Sequence, residues 1–250
     1  MRLTSAAILA ATALLAPLAV ATTAQAGAYQ PLDEQLLNGA SLSMSDVPRW
    51  MRKHSKPTLD RTYNDAPTSG ADVCLDSDGN DVTGPVPREI MSSMVTTRQN
   101  LDDFSFVEIN SDIYQYGTRG KAEKAWRQIQ NTIWGCQGTI VVEVDEEIDG
   151  EAVTVDITVA TDVSEAQQLF GVPGYALRFS VDLGIYAKDL EIDLIGDQYA
   201  VYRLAGTSII RVEYAKINGA VPLVIGRNSR LFVDAMANVV AQRVQARSLG

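Results

Sequence analysis

The stretch that decides the fold is residues 175–215, which read YALRFSVDLGIYAKDLEIDLIGDQYAVYRLAGTSIIRVEYA. It divides into four segments rich in Val, Ile, Leu and aromatic residues, a composition typical of strands. These segments are Tyr175–Leu183, Asp189–Ile195, Tyr199–Ala205 and Ser208–Ala215, and they are separated at Gly184, Gly196-Asp197 and Gly206. Such short connections make neighbouring strands pair antiparallel, because a parallel return needs a crossover of about a dozen residues. The stretch therefore predicts a meandering antiparallel sheet.

A hairpin pattern precedes this stretch. Thr139–Asp145 and Ala152–Ala160 are both rich in Val, Ile and Thr, and Asp149-Gly150 between them is a typical turn pair. Thr161–Phe170 then shows helical spacing and stops at Gly171. We expect two further strands followed by a helix.

Two longer helices are predicted on either side of the strands. Thr118 is a suitable cap for a helix over Lys121–Trp134. Its apolar residues recur at spacings of three and four, at Ala122, Ala125, Trp126, Ile129 and Ile133. A second helix is predicted near Pro222–Ser248. Consecutive strands with few helices between them indicate an α+β fold, a mostly antiparallel meandering sheet with helices packed on one face.

The N-terminal part of the mature chain is less regular. Residues 27–85 are interrupted by prolines and polar turn clusters, and only Asp33–Leu37 and Ser45–Lys53 have the pattern of short helices. We expect an irregular arm over 27–85 that wraps an α+β domain over 86–250, the two forming one folding unit.

The first 26 residues have the pattern of a secretory leader. Arg2 precedes an apolar run over Ala6–Val20, and Ala24-Gln25-Ala26 predicts cleavage between Ala26 and Gly27. The run is shorter than the roughly 20 residues that span a bilayer. The predicted location is therefore secreted or extracellular, with association with the cell envelope left open.

The charge balance narrows the classes of partner. The chain carries 31 acidic and 21 basic residues, a formal net charge of −10. Nucleic acids and anionic membranes attract positive surfaces, so the charge predicts binding to neither. No membrane span is predicted, because no segment after the leader is apolar enough to cross a bilayer. The partner that remains is an unknown small molecule or envelope component.

The chain has two cysteines, Cys74 and Cys136. In an oxidising compartment an even count favours a disulfide, and this bridge would stabilise the fold by about 4 kcal/mol on a chain-entropy model. A redox-active pair is the alternative, but such pairs typically have the Cys-x-x-Cys spacing.

No familiar catalytic or cofactor motif is present. His54 is the single histidine, and one histidine cannot form a histidine-rich metal site. It lies in the irregular N-terminal region and is interpreted as a surface residue, and no Gly-x-Ser-x-Gly motif supplies a nucleophile for a catalytic triad. Phosphate-binding and dinucleotide-binding glycine motifs are also missing, so no cofactor is predicted. The carboxylates of Asp76–Asp81 and of Asp145-Glu146-Glu147 with Asp149 are interpreted as solvated turns.

Aromatic residues concentrate near the best-defined helix. Tyr114, Tyr116, Trp126 and Trp134 are interpreted as core, although such a region beside a curved sheet would also suit an apolar or sugar ligand.

A family resemblance arises from the order of several motifs. These are Leu36-Leu37, Pro48-Arg49-Trp50, Tyr114-Gln115-Tyr116, the helix with Ala122 and Ala125-Trp126, Trp134-Gly135-Cys136, and the strand with Gly206 and Ile209-Ile210-Arg211-Val212. Over about residues 33–247 the chain resembles the PknH-like extracellular sensor domain of actinobacteria. The resemblance implies an α+β sheet domain with a ligand cleft and no enzymatic activity. This chain departs from the family in having one cysteine pair where the kinase-linked domain has two, and in lacking a kinase.

Three functions are therefore open. The first is a secreted non-catalytic ligand-binding or sensor-like domain. The second is an envelope protein-interaction partner, and the third is a secreted hydrolase that uses a carboxylate pair.

Overall fold

The computed structural model describes residues 29–48, 57–75, 80–100, 105–148, 151–187, 190–219 and 227–249. Its helices are α1 (Glu34–Ala40), α2 (Arg119–Ile133) and α3 (Arg227–Ser248), and a 3-10 turn (Trp134–Cys136) follows α2. Its strands are β1 (Thr58–Asn64), β2 (Asp72–Leu75), β3 (Asp81–Thr83), β4 (Glu89–Asn100), β5 (Ser105–Gln115), β6 (Gly138–Ile148), β7 (Glu151–Leu169), β8 (Val172–Ala187), β9 (Leu190–Ala205) and β10 (Ser208–Gly219).

Eight of these strands form one sheet in the order β1-β4-β5-β10-β9-β8-β7-β6, and β2 pairs with β3 in a small separate sheet. Every pairing is antiparallel. The strands from β6 to β10 follow one another across the sheet, as the short connections predict. The α+β class with a mostly antiparallel meandering sheet is confirmed.

The helices lie on both faces of this sheet, so the expectation that they pack on one face is wrong. The alternation along β9 gives the reason. Tyr199 and Val201 belong to the core under α1 and α3, whereas Ala200 and Tyr202 belong to the core under α2. A strand that is apolar on both sides needs a layer on each side.

The helix predicted over Thr161–Phe170 is also wrong, because β7 continues through Leu169. Val163 pairs with Leu177 of β8 and lies in the same core. Pairing with a long neighbour outweighs the helical spacing of this segment. The turn to β8 uses Phe170 and Gly171, whose φ angles are 55° and 73°.

The two strands predicted over Asp189–Ile195 and Tyr199–Ala205 are one strand from Leu190 onwards, β9, so Gly196-Asp197 is not a turn. Gly196 pairs with Val181 on one side and with Ile217 on the other. The Asp197 side chain is buried and is bound by Arg178, with 3.0 Å between Arg178 Nη2 and Asp197 Oδ2. The glycine lies inside the sheet, where its neighbours on both sides hold it extended.

The N-terminal arm is more regular than the prolines suggest. Its strand β1 forms the edge of the main sheet next to β4, and the predicted short helix is confirmed as α1 with Asp33 as its cap. Of the second predicted helix, residues 45–48 are described and form a turn and a bend, and the rest lies outside the described residues. The irregularity of 27–85 is therefore only partial.

A buried glutamine fastens the start of the arm to the sheet. Gln115 accepts a hydrogen bond from the Leu32 backbone nitrogen at 2.6 Å and donates one to the Leu32 oxygen at 2.6 Å. Its amide also donates to Glu89 at 2.8 Å. Since Gln115 is fully buried, these partners satisfy a polar group that would be costly to leave unpaired.

The disulfide between Cys74 and Cys136 is confirmed, with 5.8 Å between the two Cα atoms. It joins β2 to the 3-10 turn after α2, two segments that lie 62 residues apart. The cross-link therefore holds the β2–β3 hairpin against the end of α2.

Replacing both cysteines with serine is expected to lower the free energy of unfolding by about 4 kcal/mol, because the unfolded chain regains the freedom of the closed loop. Urea denaturation of the oxidised protein and of the double variant measures the difference. Reduced wild-type protein is the control and should match the variant. Equal midpoints for oxidised and reduced wild type would contradict the stabilising role.

Candidate functional site

Helix α2 covers only part of its face of the sheet. Trp126 lies with its ring centre 5.6 Å from that of Tyr175, and Gln130 donates a hydrogen bond to the Tyr175 hydroxyl at 3.1 Å. Ala200 and Leu177 lie in the same core. Two further regions of this face adjoin the core: a charged cluster beside it on β5 and β10, and an apolar surface further along β6–β9.

The charged cluster is centred on Arg211. Its guanidinium lies 3.4 Å from Asp112 Oδ2 and also pairs with Glu213, which in turn accepts a hydrogen bond from Gln198. Tyr114 donates to Asp112 at 3.4 Å. This network links β5, β10 and β9 beside α2.

Glu108 lies on the same face next to this network, and it is partly exposed. Burial raises the pKa of Glu108 above its usual value, and the negative charge of Glu213 raises it further. The three buried carboxylates of the described residues, Glu89, Asp197 and Glu213, each have an arginine partner. Glu108 is thus a carboxylate with a raised pKa on an open surface.

The apolar surface occupies the far ends of β6–β9, and we call it the apolar extension face. It consists of ten aliphatic residues: Ile140, Val142 and Val144 of β6, Val155, Ile157 and Val159 of β7, Val181, Leu183 and Ile185 of β8, and Leu194 of β9. The register places them side by side, since Ile157 pairs with Val142 on one side and with Leu183 on the other. Alternation along each strand puts all ten on the α2 side of the sheet.

The reverse side of these strand ends is polar. It carries Glu143, Asp145, Asp156, Thr158 and Asp182, which alternate with the aliphatic residues. Asp145 accepts a hydrogen bond from Thr154 at 2.7 Å. The extension is therefore an amphipathic sheet, the pattern expected when one side is covered and the other faces water.

The apolar extension face nevertheless stays accessible in the described part of the chain. None of its ten residues belongs to either buried core, and Val144 is 37% exposed. Contiguous exposed apolar patches on soluble proteins mark sites where another molecule binds. This face is the strongest candidate binding surface in the described residues.

Strand β6 is also the edge of the main sheet. Its Val141, on the polar side, is 71% exposed. An edge strand presents unpaired backbone groups to a further strand, so β6 is a second feature suited to a polypeptide partner.

A small cleft lies on the outer side of α2. Its volume is about 320 Å³ and it is lined by Thr83, Gly84, Pro85, Gln128, Asn131 and Thr132. These neutral polar groups would suit an uncharged polar ligand such as a sugar.

The structure brings together two of the residues singled out from sequence, Cys74 and Cys136. The cleavage pair Ala26-Gly27, His54 and 76–79 lie outside the described residues. Asp145–Glu147, interpreted above as a turn, lie within β6. No group of His, Cys, Asp and Glu in the described residues is arranged to hold a metal ion.

Three of the four aromatic residues are core, as predicted. Tyr114, Tyr116 and Trp126 are buried, whereas Trp134 is 46% exposed and packs edge-on against Tyr175. Sequence reasoning missed the apolar extension face, although the alternation in VEVD over 142–145 and in VTVDITVA over 153–160 was its signal.

The chain matches no known family model and no curated protein. The resemblance to the PknH-like sensor domain therefore stays a prediction. In the described residues no helix is long and apolar enough to cross a membrane.

Glu108→Gln is expected to stabilise the protein at pH 7 and to leave its stability unchanged at pH 3. A raised pKa in the folded state favours folding at low pH, and this contribution is lost as the pH rises through the folded pKa. Thermal unfolding of both proteins at the two pH values measures the difference. If the variant is more stable than wild type at pH 3 as well, the raised pKa of Glu108 is not the cause of its stability.

Asp46→Asn is the control, because the pKa of Asp46 is shifted in the opposite direction to that of Glu108. Burial alone would raise the pKa of Asp46, but hydrogen bonds from Arg243 and Ser43 outweigh it and hold the pKa below its usual value. The Asp46 carboxylate therefore stabilises the fold above its unfolded pKa, and this stability is lost as the pH falls through the folded pKa. The variant should be destabilised at pH 7 and match wild type at low pH.

Proposed function

We propose that this chain is an exported, non-catalytic binding module of the cell envelope or extracellular space, and that it binds its ligand on the apolar extension face. The observation that carries the proposal is the amphipathic extension of β6–β9. Ten aliphatic side chains share one accessible side, while acidic and hydroxyl side chains share the other.

Burial of this face would supply the binding energy. Removing apolar surface from water contributes about 25 cal/mol per Å², so the partly exposed aliphatic side chains of this face together provide a driving force for binding. The strands hold these side chains in a fixed register, so little order has to be gained on binding.

The disulfide supports the proposed location. A bridge between Cys74 and Cys136 suits an oxidising compartment, as does the secretory pattern of the first 26 residues. The resemblance to an extracellular sensor domain points to the same class of function.

An envelope protein-interaction partner is the second candidate. The open edge of β6 favours it, because a strand from another protein can pair there. The two candidates share the same end of the molecule and differ in the feature that binds: the apolar side of β6–β9 in the first, and the backbone edge of β6 in the second.

Ile157→Asp is expected to abolish binding on the apolar extension face, because it introduces a charge at the centre of that face. The mature protein is heated with and without a whole extract of the cell envelope, which contains its lipids, glycans and proteins. A ligand at 100 times its Kd stabilises the folded state by about 2.7 kcal/mol, which appears as a rise in Tm of wild type.

Thr158→Asp is the matched control, since it introduces the same charge one residue along on the reverse side. It should keep the rise in Tm that Ile157→Asp loses. If the extract raises the Tm of wild type and of both variants equally, the binding site lies outside the apolar extension face. If it raises the Tm of none of them, the proposed binding function is contradicted.

A further inference from the structure

We propose that the apolar extension face binds a basic amphipathic helix of another protein, which lies beside α2 in the same layer. The inference rests on the proposed function and names the chemistry of its partner.

The shape excludes deep enclosure of a small molecule. Pockets for small ligands bury most of the ligand surface, whereas an open sheet covers one side only. Neighbouring strands lie about 4.8 Å apart, so β6–β9 span about 14 Å. The aliphatic residues on one strand, such as Val155, Ile157 and Val159, extend over about 13 Å. A helix is about 10–12 Å wide and rises about 1.5 Å per residue, so two to three turns cover the face.

The face continues the surface on which α2 already packs. Tyr175 and Leu177 of β8 contact the α2 core, Phe179 lies at its margin, and Val181 and Leu183 follow on the same side of the same strand. A second helix beside α2 would complete this layer. Helices on a sheet commonly pack as neighbours in one layer.

The surroundings of the face are negative. The row of paired residues that begins at Phe179 passes through Gln198 and Ala215 to Glu108, on the same side of the sheet. Beside Glu108 on this side of the sheet, the carboxylates of Asp112 and Glu213 outnumber the guanidinium of Arg211 in the charged cluster. Lysine or arginine residues beside an apolar stripe would meet these carboxylates at the rim.

The same charges argue against other occupants. A second copy would bring another acidic surface, since the chain carries a net charge of −10. An anionic membrane would be repelled for the same reason. A basic helix satisfies both the apolar centre and the acidic rim.

A labelled 14-residue peptide tests the inference. It carries leucines at helical spacing on one side and lysines elsewhere, and fluorescence anisotropy measures its binding to the mature protein. A shuffled peptide of equal composition lacks the apolar stripe, and a third peptide has Glu in place of Lys. We expect only the lysine peptide with the stripe to bind.

Variants locate the binding. Ile157→Asp and Leu183→Ser should each weaken binding about tenfold or more, which corresponds to about 1.4 kcal/mol. Thr158→Asp should bind as wild type does. Glu108→Gln should weaken binding about threefold and reduce its dependence on salt. Circular dichroism confirms that each variant is folded.

Two results would overturn the inference. One is binding of the shuffled or acidic peptide as tightly as the lysine peptide. The other is a dimer in analytical ultracentrifugation that Ile157→Asp dissociates, which would assign the face to a second copy. If Ile157→Asp removes a thermal shift caused by an uncharged amphiphile while no peptide binds, the binding module stands and this partner does not.

Discussion

The architecture depends on the two-sided apolar character of the central strands. Ile209 and Ile210 of β10 are both fully buried although they face opposite sides of the sheet. Neither side can be left to water, so one layer forms from α1 and α3 and another from α2 with the β2–β3 hairpin. Covering both faces produces the two cores. The Gln115 hydrogen bonds to Leu32 and the disulfide fasten the covering segments in place.

The apolar extension face is accessible because α2 is much shorter than the strands on which it packs. Helix α2 has 15 residues and is about 22 Å long, whereas β7 has 19 residues and extends over about 60 Å. The helix crosses several strands near one end of the sheet and cannot reach the other. The strand ends keep the aliphatic alternation of a covered sheet, but no helix of the described residues covers them. The charged cluster at Arg211 lies beside the α2 core, on β5 and β10.

The sequence predicted those features that depend on residues close together along the chain. The cap and spacing of α2, the cap of α1, the β6–β7 hairpin and the disulfide could be predicted because each depends on residues close in sequence or on a single pairing. Thr161–Phe170 and Gly196-Asp197 could not, because long neighbouring strands on both sides decide their conformation. The position of helices on both faces depends on the crossing of α2 from β5 to β6, which no spacing encodes. The alternation of Val and Ile in β6 and β7 indicated one apolar side on each strand. Only the register between the strands shows that these sides form one continuous surface.

The strand order has a consequence for how the chain assembles. Strand β5 pairs with β10, and the partner of Ile113 is Ile210, which is synthesised nearly one hundred residues later. The meander from β6 to β10 is built from sequential neighbours and can form early, whereas β1, β4 and β5 join only when the last strand is available. Contacts between such distant parts of a chain slow folding. The subsheet of β1, β4 and β5 therefore remains without its sheet partner until β10 has emerged.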